Sequence, residues 1–241
     1  MCTLQRCGDV SILTITGDDD HRLNPTLIDS IRAALARVKS DPARSAALVT
    51  TAEGDFYSSG YDLAWARSGG ALARARVMSE KLRLLVEDLI SLPMPTIAAV
   101  NGNASAAGFI LALSHDYVLM REDVGRLSMG ELEINYRLSM WFVRVLRNKI
   151  GSPQILRDVI LRAEKIDARR GVEWGIVDSV HATAAATVAA AVEMGADMAA
   201  SRWDGKLYAA NRRTVFAEVL AILGSDETVG DSSADKGRSK M

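Results

Sequence analysis

Thr96-Ile97-Ala98-Ala99-Val100-Asn101-Gly102-Asn103-Ala104-Ser105-Ala106-Ala107-Gly108 begins with a run that is wholly apolar after its threonine. Such a run is expected of a strand covered on both faces, where no alternation with polar residues is needed. Asn101-Gly102 breaks the strand. Ala107–Ser114 then has the composition of an apolar helix, and Tyr117–Met120 returns to strand character. Strand, turn, helix, strand is the pattern of an α/β core.

Upstream of this unit, Pro93 and Pro95 stop a long helical segment near Ala71–Leu92, whose Leu82, Leu85, Val86 and Leu89 recur at helical spacing. Glu53–Gly60 is turn-rich, and Ala46–Thr51 is a short buried-strand candidate. Asn24-Pro25 reads as an N-cap followed by proline at the first helical position, with Leu27, Ile31, Leu35 and Val38 as the apolar stripe. Before it, β-branched Val10–Thr16 ends in the Gly17–Asp20 turn. Downstream of Trp141 the chain is helical by period, through Pro153–Leu161, Asp167–Trp174 and the alanine-rich Ala182–Ala200. The division expected is an α/β core over 1–140, a helical subdomain over 141–223 and a polar tail over 224–241 that cannot repay its ordering entropy by burial.

The chain has 241 residues with 29 Lys+Arg against 30 Asp+Glu, so no excess positive field favours nucleic acid or an anionic membrane. Outside the alanine-rich region the longest apolar stretch is Ala106–Leu113, too short to cross hydrocarbon. Cys2 and Cys7 are the only cysteines, and a bridge between them would close a very short loop, which points to a reducing compartment. His21, His115 and His181 lack ligand-like spacing, leaving no basis for a zinc site. The first residues do not read as a secretory leader.

Two small-residue turns carry the chemical reading: Phe56-Tyr57-Ser58-Ser59-Gly60-Tyr61-Asp62-Leu63, and Asn101 to Gly108. Each can present backbone N–H groups to an anion, and the second leads into a helix whose first amides lack internal partners. In this order and with these flanks they resemble the enoyl-CoA hydratase/isomerase (crotonase) superfamily. The likeness extends through Leu23-Asn24-Pro25, Pro95–Gly102, Ser114–Met120 and Gly175-Ile176-Val177-Asp178, about residues 8–180. Within the superfamily, His21–Pro25 and Tyr61–Trp65 are most similar to the plant peroxisomal Δ3,Δ2-enoyl-CoA isomerases.

The resemblance implies a (ββα)n superhelix with a C-terminal helical subdomain that covers the active site and builds a homotrimer or hexamer, the alanine-rich helix taking part in subunit contact. It implies that the amides of Tyr61 and Ala107 bind the thioester oxygen, with Ser58, Gly60, Asp62, Leu63 and Gly108 lining the substrate and Arg22 facing a CoA phosphate. Ala107 stands where many relatives have glycine, which a backbone donor survives unless positive φ is required there. The first glutamate of the hydratase branch falls on Ile110, so that carboxylate is missing. The second falls on Glu131 rather than Glu133, with Asn135 at the family's glycine position. One carboxylate suffices to move a double bond by taking a proton from C2 and returning one at C4. No metal or redox cofactor is implied beyond the CoA of the substrate.

Asp62 and Asp116 read as turn and strand-end hydrogen-bonding residues, Asn24 as a helix cap, and Trp65, Trp141 and Phe142 as core or acyl-tunnel aromatics. Two alternatives stay open: another crotonase-type reaction, hydration or thioester hydrolysis, and a non-catalytic acyl-CoA-binding paralogue. Asn135, Ser139, Met140 and Ala107 are the departures that favour the second. Ser239-Lys240-Met241 resembles the Ser-Lys-Leu address of the peroxisomal import receptor, which implies a peroxisomal location.

Overall fold

The computed structural model describes residues 1–18, 20–40 and 46–224. The tail expected from 224 onward, with Ser239-Lys240-Met241, lies outside the described residues apart from Gly224.

The chain opens with a hairpin of β1 (Cys2–Cys7) and β2 (Val10–Ile15), followed by α1 (Pro25–Ser40). The next unit is β3 (Ala47–Ala52), β4 (Phe56–Ser58), α2 (Leu63–Arg67) and α3 (Ala71–Ile90). A third runs β5 (Thr96–Val100), β6 (Asn103–Ser105), α4 (Ala107–Leu113), and a fourth β7 (Tyr117–Arg121), β8 (Arg126–Ser128), a 3₁₀ turn over Glu131–Ile134 and α5 (Met140–Lys149). Two strands and a helical segment thus recur, as expected for a (ββα)n core. The remainder is α6 (Pro153–Leu161), β9 (Ile166–Asp167), α7 (Ala168–Glu173), β10 (Ser179–His181), α8 (Ala184–Ala200), α9 (Gly205–Val215) and α10 (Ala217–Ile222).

The first strands of the units form one sheet in the order β1-β2-β3-β5-β7-β10, parallel except for the antiparallel β1–β2 hairpin. The second strands form another, β4-β6-β8-β9, in which β4, β6 and β8 are parallel and β9 is antiparallel to β8. Helical periodicity beyond Trp141 gives no sign of β9 and β10, because strands of two and three residues are too short to show a period.

Both faces of the larger sheet are covered, which is why its strands read as unbroken apolar runs. Val10, Ala47, Val49, Ile97, Ala99 and Leu119 face α8 through Ala191, Val188 and Val192. The alternate residues Leu13, Ile15, Leu48, Ala98, Val100, Val118 and Met120 join the main core with α1, α3 and α4. The alanines of α8 let it lie close to the sheet: a Cβ on Gly195 would come within 3.3 Å of both Ala47 and Val10. This packing uses one face of α8, whose buried residues are Thr187, Ala191 and Gly195. Among the described residues no helix is long and apolar enough to cross a membrane.

Candidate active site

Because β4, β6 and β8 are neighbouring parallel strands, their C-terminal ends open at one edge of the smaller sheet. Each end delivers one of the residues singled out in the sequence. Tyr61 follows β4, Ala107 follows β6, and Glu131 follows β8, each two or three residues beyond its strand. Ligand crevices of α/β sheets lie beyond such strand ends.

The two bends are in direct contact. Gly60 has φ +90°, and a Cβ added there would sit 2.9 Å from the Ser105 carbonyl oxygen and 3.3 Å from the Ala107 nitrogen. Gly108 has no more room, since its Cβ would meet the Ser58 carbonyl oxygen at 2.2 Å. Tyr61 forms a parallel bridge with Leu23, made by Leu23 N–H donating to Gly60 and Asp62 N–H donating to Leu23. In that pattern the bridging residue's own amide points away from its partner, so the Tyr61 N–H is not used by Leu23. Ala107 is the first residue of α4 and its N–H precedes the first intrahelical donor. The positive φ of this bend falls on Ala106, at φ 50° and ψ −121°, so Ala107 itself is helical and its methyl group costs no strain.

Glu131 and Glu133 diverge completely. Glu133 is exposed and pairs with Lys165 at 3.5 Å. Glu131 is 2% exposed, and neither carboxylate oxygen has a hydrogen-bond partner. Burial pushes its pKa up to about 7, because the charged form has lost its water. The turn that holds it closes through Tyr136 N–H donating to the Glu131 carbonyl at 2.8 Å. Asn135 caps this turn in the left-handed region, φ 57° and ψ 38°, which explains how it serves at a glycine position. Its side chain is exposed and does not crowd the base. Met140 is also exposed, while Ser139 is buried at the start of α5 with its hydroxyl unpartnered.

The remaining residues divide by what they touch. Ser58 donates its hydroxyl to the His21 carbonyl at 2.8 Å and accepts from the Gly60 N–H at 3.2 Å, so it braces the first bend. Asp62 caps α2 by accepting from Trp65 N–H at 2.8 Å, and Asn24 caps α1 by accepting from Leu27 N–H at 3.0 Å. Arg22 is held by Asp20 at 2.7 Å and borders a cavity of about 440 Å³ together with His21, Asn24 and Asp62. Trp65 carries Arg74 over its ring at 4.7 Å, whereas Trp141 and Phe142 are fully buried and Phe142 stacks on Tyr61 at 6.1 Å. Asp116 is the strand-end acceptor expected of it, taking a hydrogen bond from Thr96 N–H at 2.9 Å.

Beside Tyr61 lies a cavity of about 220 Å³ bounded by Leu63, Ala66, Leu72, Met78 and Tyr136. Its walls on α3 and Tyr136 went unread in the sequence. One signal was available: Ser79 sits three residues before Leu82 on the buried stripe of α3, a hydroxyl where the period asks for an apolar side chain. A larger cavity, about 530 Å³ between α5 and α9, includes none of the three strand-end residues.

A repeated ββα architecture with two abutting small-residue bends and one buried acid at a common sheet edge is the arrangement of a crotonase-type α/β fold. The chain belongs to the enoyl-CoA hydratase/isomerase family, whose sequence profile matches residues 10–211. It is 50% identical over its full length, and that of the relative, to peroxisomal enoyl-CoA delta isomerase 1 of Arabidopsis thaliana. Peroxisomal enoyl-CoA delta isomerase 2 of the same plant is 44% identical over 95% of this chain and 98% of that one. Among solved structures, an apo enoyl-CoA isomerase of Mycobacterium tuberculosis superposes with a TM-score of 0.84 at 19% identity, covering 93% of this chain and 95% of that one. An enoyl-CoA hydratase/isomerase family protein of Pseudomonas syringae gives 0.82 at 22% identity, covering 92% and 93%.

Proposed function

We propose that the protein is a Δ3,Δ2-enoyl-CoA isomerase in which Glu131 is the single base. The full-length similarity to enoyl-CoA delta isomerases supports the reaction, and the burial of Glu131 beyond β8 is the observation that carries the residue assignment. In this reading the amides of Tyr61 and Ala107 donate to the thioester oxygen of a 3-enoyl-CoA. Charged Glu131 takes a proton from C2, and the electron pair moves onto that oxygen as a dienolate. Fixed donors stabilise the developing charge more than they stabilise the ground-state carbonyl. Glu131 then returns a proton at C4 and the double bond comes to rest between C2 and C3. Atoms and electrons balance without a redox partner, so the CoA carried by the substrate is the only cofactor proposed.

Hydration calls for a second carboxylate around a positioned water. Its family position holds Ile110, which is fully buried in apolar surroundings. Ser58, Gly60 and Gly108 act here by shaping the bends, and Asp62 and Leu63 by fixing the start of α2 beside the acyl cavity. Contact between Arg22 and a CoA phosphate requires Arg22 to exchange Asp20 for another anion. Peroxisomal location is proposed on the names of the two plant relatives and on Ser239-Lys240-Met241; a reporter bearing these residues should enter peroxisomes, and a diffuse signal removes the address.

The test of the reaction is conversion of a 3-enoyl-CoA to its trans-2-enoyl product. Glu131→Gln should lower kcat by roughly 10²–10⁴-fold, the usual worth of a positioned general base. Wild-type activity should rise with pH as Glu131 loses its proton near pH 7. Unimpaired turnover by Glu131→Gln removes Glu131 from the mechanism, and free CoA or 3-hydroxyacyl-CoA as the main product replaces isomerisation with hydrolysis or hydration.

A further inference from the structure

The cavity beside Tyr61 is the gap between two helix faces. Leu63, Ala66 and Arg67 border it from α2, and Ala71, Ala75 and Met78 from α3, each set recurring at three- and four-residue steps that place it on one stripe of its helix. Three of these six are alanines, whose short side chains leave about 220 Å³ between the stripes. One end of the gap lies at Tyr61 and the buried Met78, and at the other Arg67, Ala71 and Leu72 are exposed. The gap therefore leads from the first small-residue bend to solvent.

Little packing holds α2 at its distance from α3. It has five residues, of which Ala66 alone is buried, and Ala66 faces the gap. A polar brace from α3 fixes it instead. Arg74 Nη1 donates to the Trp65 carbonyl at 2.7 Å and to the Ser68 hydroxyl at 2.6 Å, and the guanidinium lies over the Trp65 ring at 4.7 Å. A planar cation that stacks on a ring and donates in its own plane ties α2 down at several points, which an ammonium would not do. The link between the helices is built around this brace: a Cβ on Gly69 would sit 2.5 Å from the Arg74 guanidinium carbon.

We infer that the gap between α2 and α3 is an open-ended slot for the distal acyl chain and that Arg74 is the positioning residue that sets its width. The inference rests on an acyl-CoA being the substrate. With the thioester oxygen at the Tyr61 and Ala107 amides and C2 to C4 at Glu131, the carbons beyond C4 enter the slot. It has space for about seven methylene-sized groups at roughly 30 Å³ each. Further carbons emerge between Arg67 and Leu72 and gain nothing. Arg74 touches neither the chain nor the reacting atoms; it acts through Trp65 and the position of α2.

The test is calorimetric binding of saturated straight-chain acyl-CoAs of increasing length, a measurement independent of turnover. For the wild type, Kd should fall about fourfold for each methylene added beyond C4, the worth of burying one CH₂, and then level off near eleven carbons. Ala75→Leu should bring the plateau about three carbons earlier, because it adds that much side chain to the wall. Arg74→Met removes the donors and keeps the length of the side chain, whereas Gly69→Ala keeps Arg74 and drives its guanidinium off Trp65. In both, the gain per methylene should drop to about twofold, as expected when the walls stand a fraction of an ångström off the chain, with four-carbon acyl-CoA bound as before. A plateau unmoved by Ala75→Leu places the chain elsewhere and overturns the slot. Wild-type increments in both Arg74→Met and Gly69→Ala overturn the brace. The expected length series in a protein that leaves 3-enoyl-CoA unconverted upholds the slot and overturns the proposed reaction instead.

Discussion

At position 60 the backbone adopts a conformation that side-chain-bearing residues resist, and it does so where two chain bends touch. Positive φ and contact with Ser105 and Ala107 act together there: a methyl group would be strained by the dihedral and would push on the backbone of the opposing bend. Gly60→Ala is therefore expected to cost about 1–3 kcal/mol of stability. It should also lower kcat by roughly 10²–10³-fold, the loss seen when an oxyanion donor is removed. Urea denaturation and turnover of a 3-enoyl-CoA measure the two effects separately. Wild-type kcat in a folded Gly60→Ala protein would mean that the spacing of the two amides does not govern the reaction. Ser58 cannot compensate for such a change, since its hydroxyl already braces the bend from the other side.

At the scale of elements, the strands that deliver the site are among the least self-sufficient in the chain. β4, β6 and β8 have three residues each and are held by loop contacts such as Asn103 N–H donating to Asp55 at 2.9 Å and the Asn101 amide donating to Gly54 at 2.8 Å. The last two described helices join this core through the buried Phe216, Val219 and Leu223 and through one buried cation. Arg212 of α9 is 4% exposed, donates its Nε to Asp116 at 2.7 Å and its Nη1 to the Leu92 carbonyl at 2.9 Å, and reaches Met94 as well. Arg212→Met should destabilise the fold by about 3–5 kcal/mol, because Asp116 is left buried without its cation. Adding Asp116→Asn should recover part of that loss in chemical denaturation, and strictly additive costs would show that the pair is not coupled. These elements also mark how far the sequence can be read. Thr96–Val100, Pro153–Leu161 and the start of α3 at Ala71 were legible because burial on both faces, proline punctuation and helical period leave marks in composition. β4, β6 and β8 were not, since three residues are too few to show a period, and Glu53–Gly60 reads only as a turn. Tyr61, Ala107 and Glu131 were accessible through family resemblance. The choice of Glu131 over Glu133 acquires its physical reason from the 3₁₀ turn, which sends one acid inward and the other to Lys165.

For the molecule as a whole, two buried groups bend the pH dependence of stability in opposite directions. His115 is fully buried, with Nε2 2.9 Å from the Thr50 hydroxyl, and burial lowers its pKa from 6.5 to about 4. The unfolded chain binds a proton there that the native protein refuses, so stability present above pH 6.5 is lost as the pH falls toward 4. Glu131 behaves inversely: its pKa rises from 4.5 to about 7, the native state holds the proton longer than the unfolded chain, and the stability present below pH 4.5 is lost as the pH climbs toward 7. The cost of keeping this base charged at pH 8 is on the order of 3 kcal/mol. Glu131→Gln cannot ionise and escapes it, so the variant should exceed the wild type by an amount of that order at pH 8, with the advantage fading as the pH approaches 5. Below pH 6.5 His115 destabilises both proteins, but the decline should stand out in Glu131→Gln and be largely offset in the wild type by the stability that Glu131 regains as the pH falls from 7 to 4.5. Urea denaturation at pH 5, 6.5 and 8 reads the difference directly. A gap between the two proteins that does not change with pH would mean that Glu131 is solvated in the native state, and the acid would then lack the environment that makes it a proton carrier.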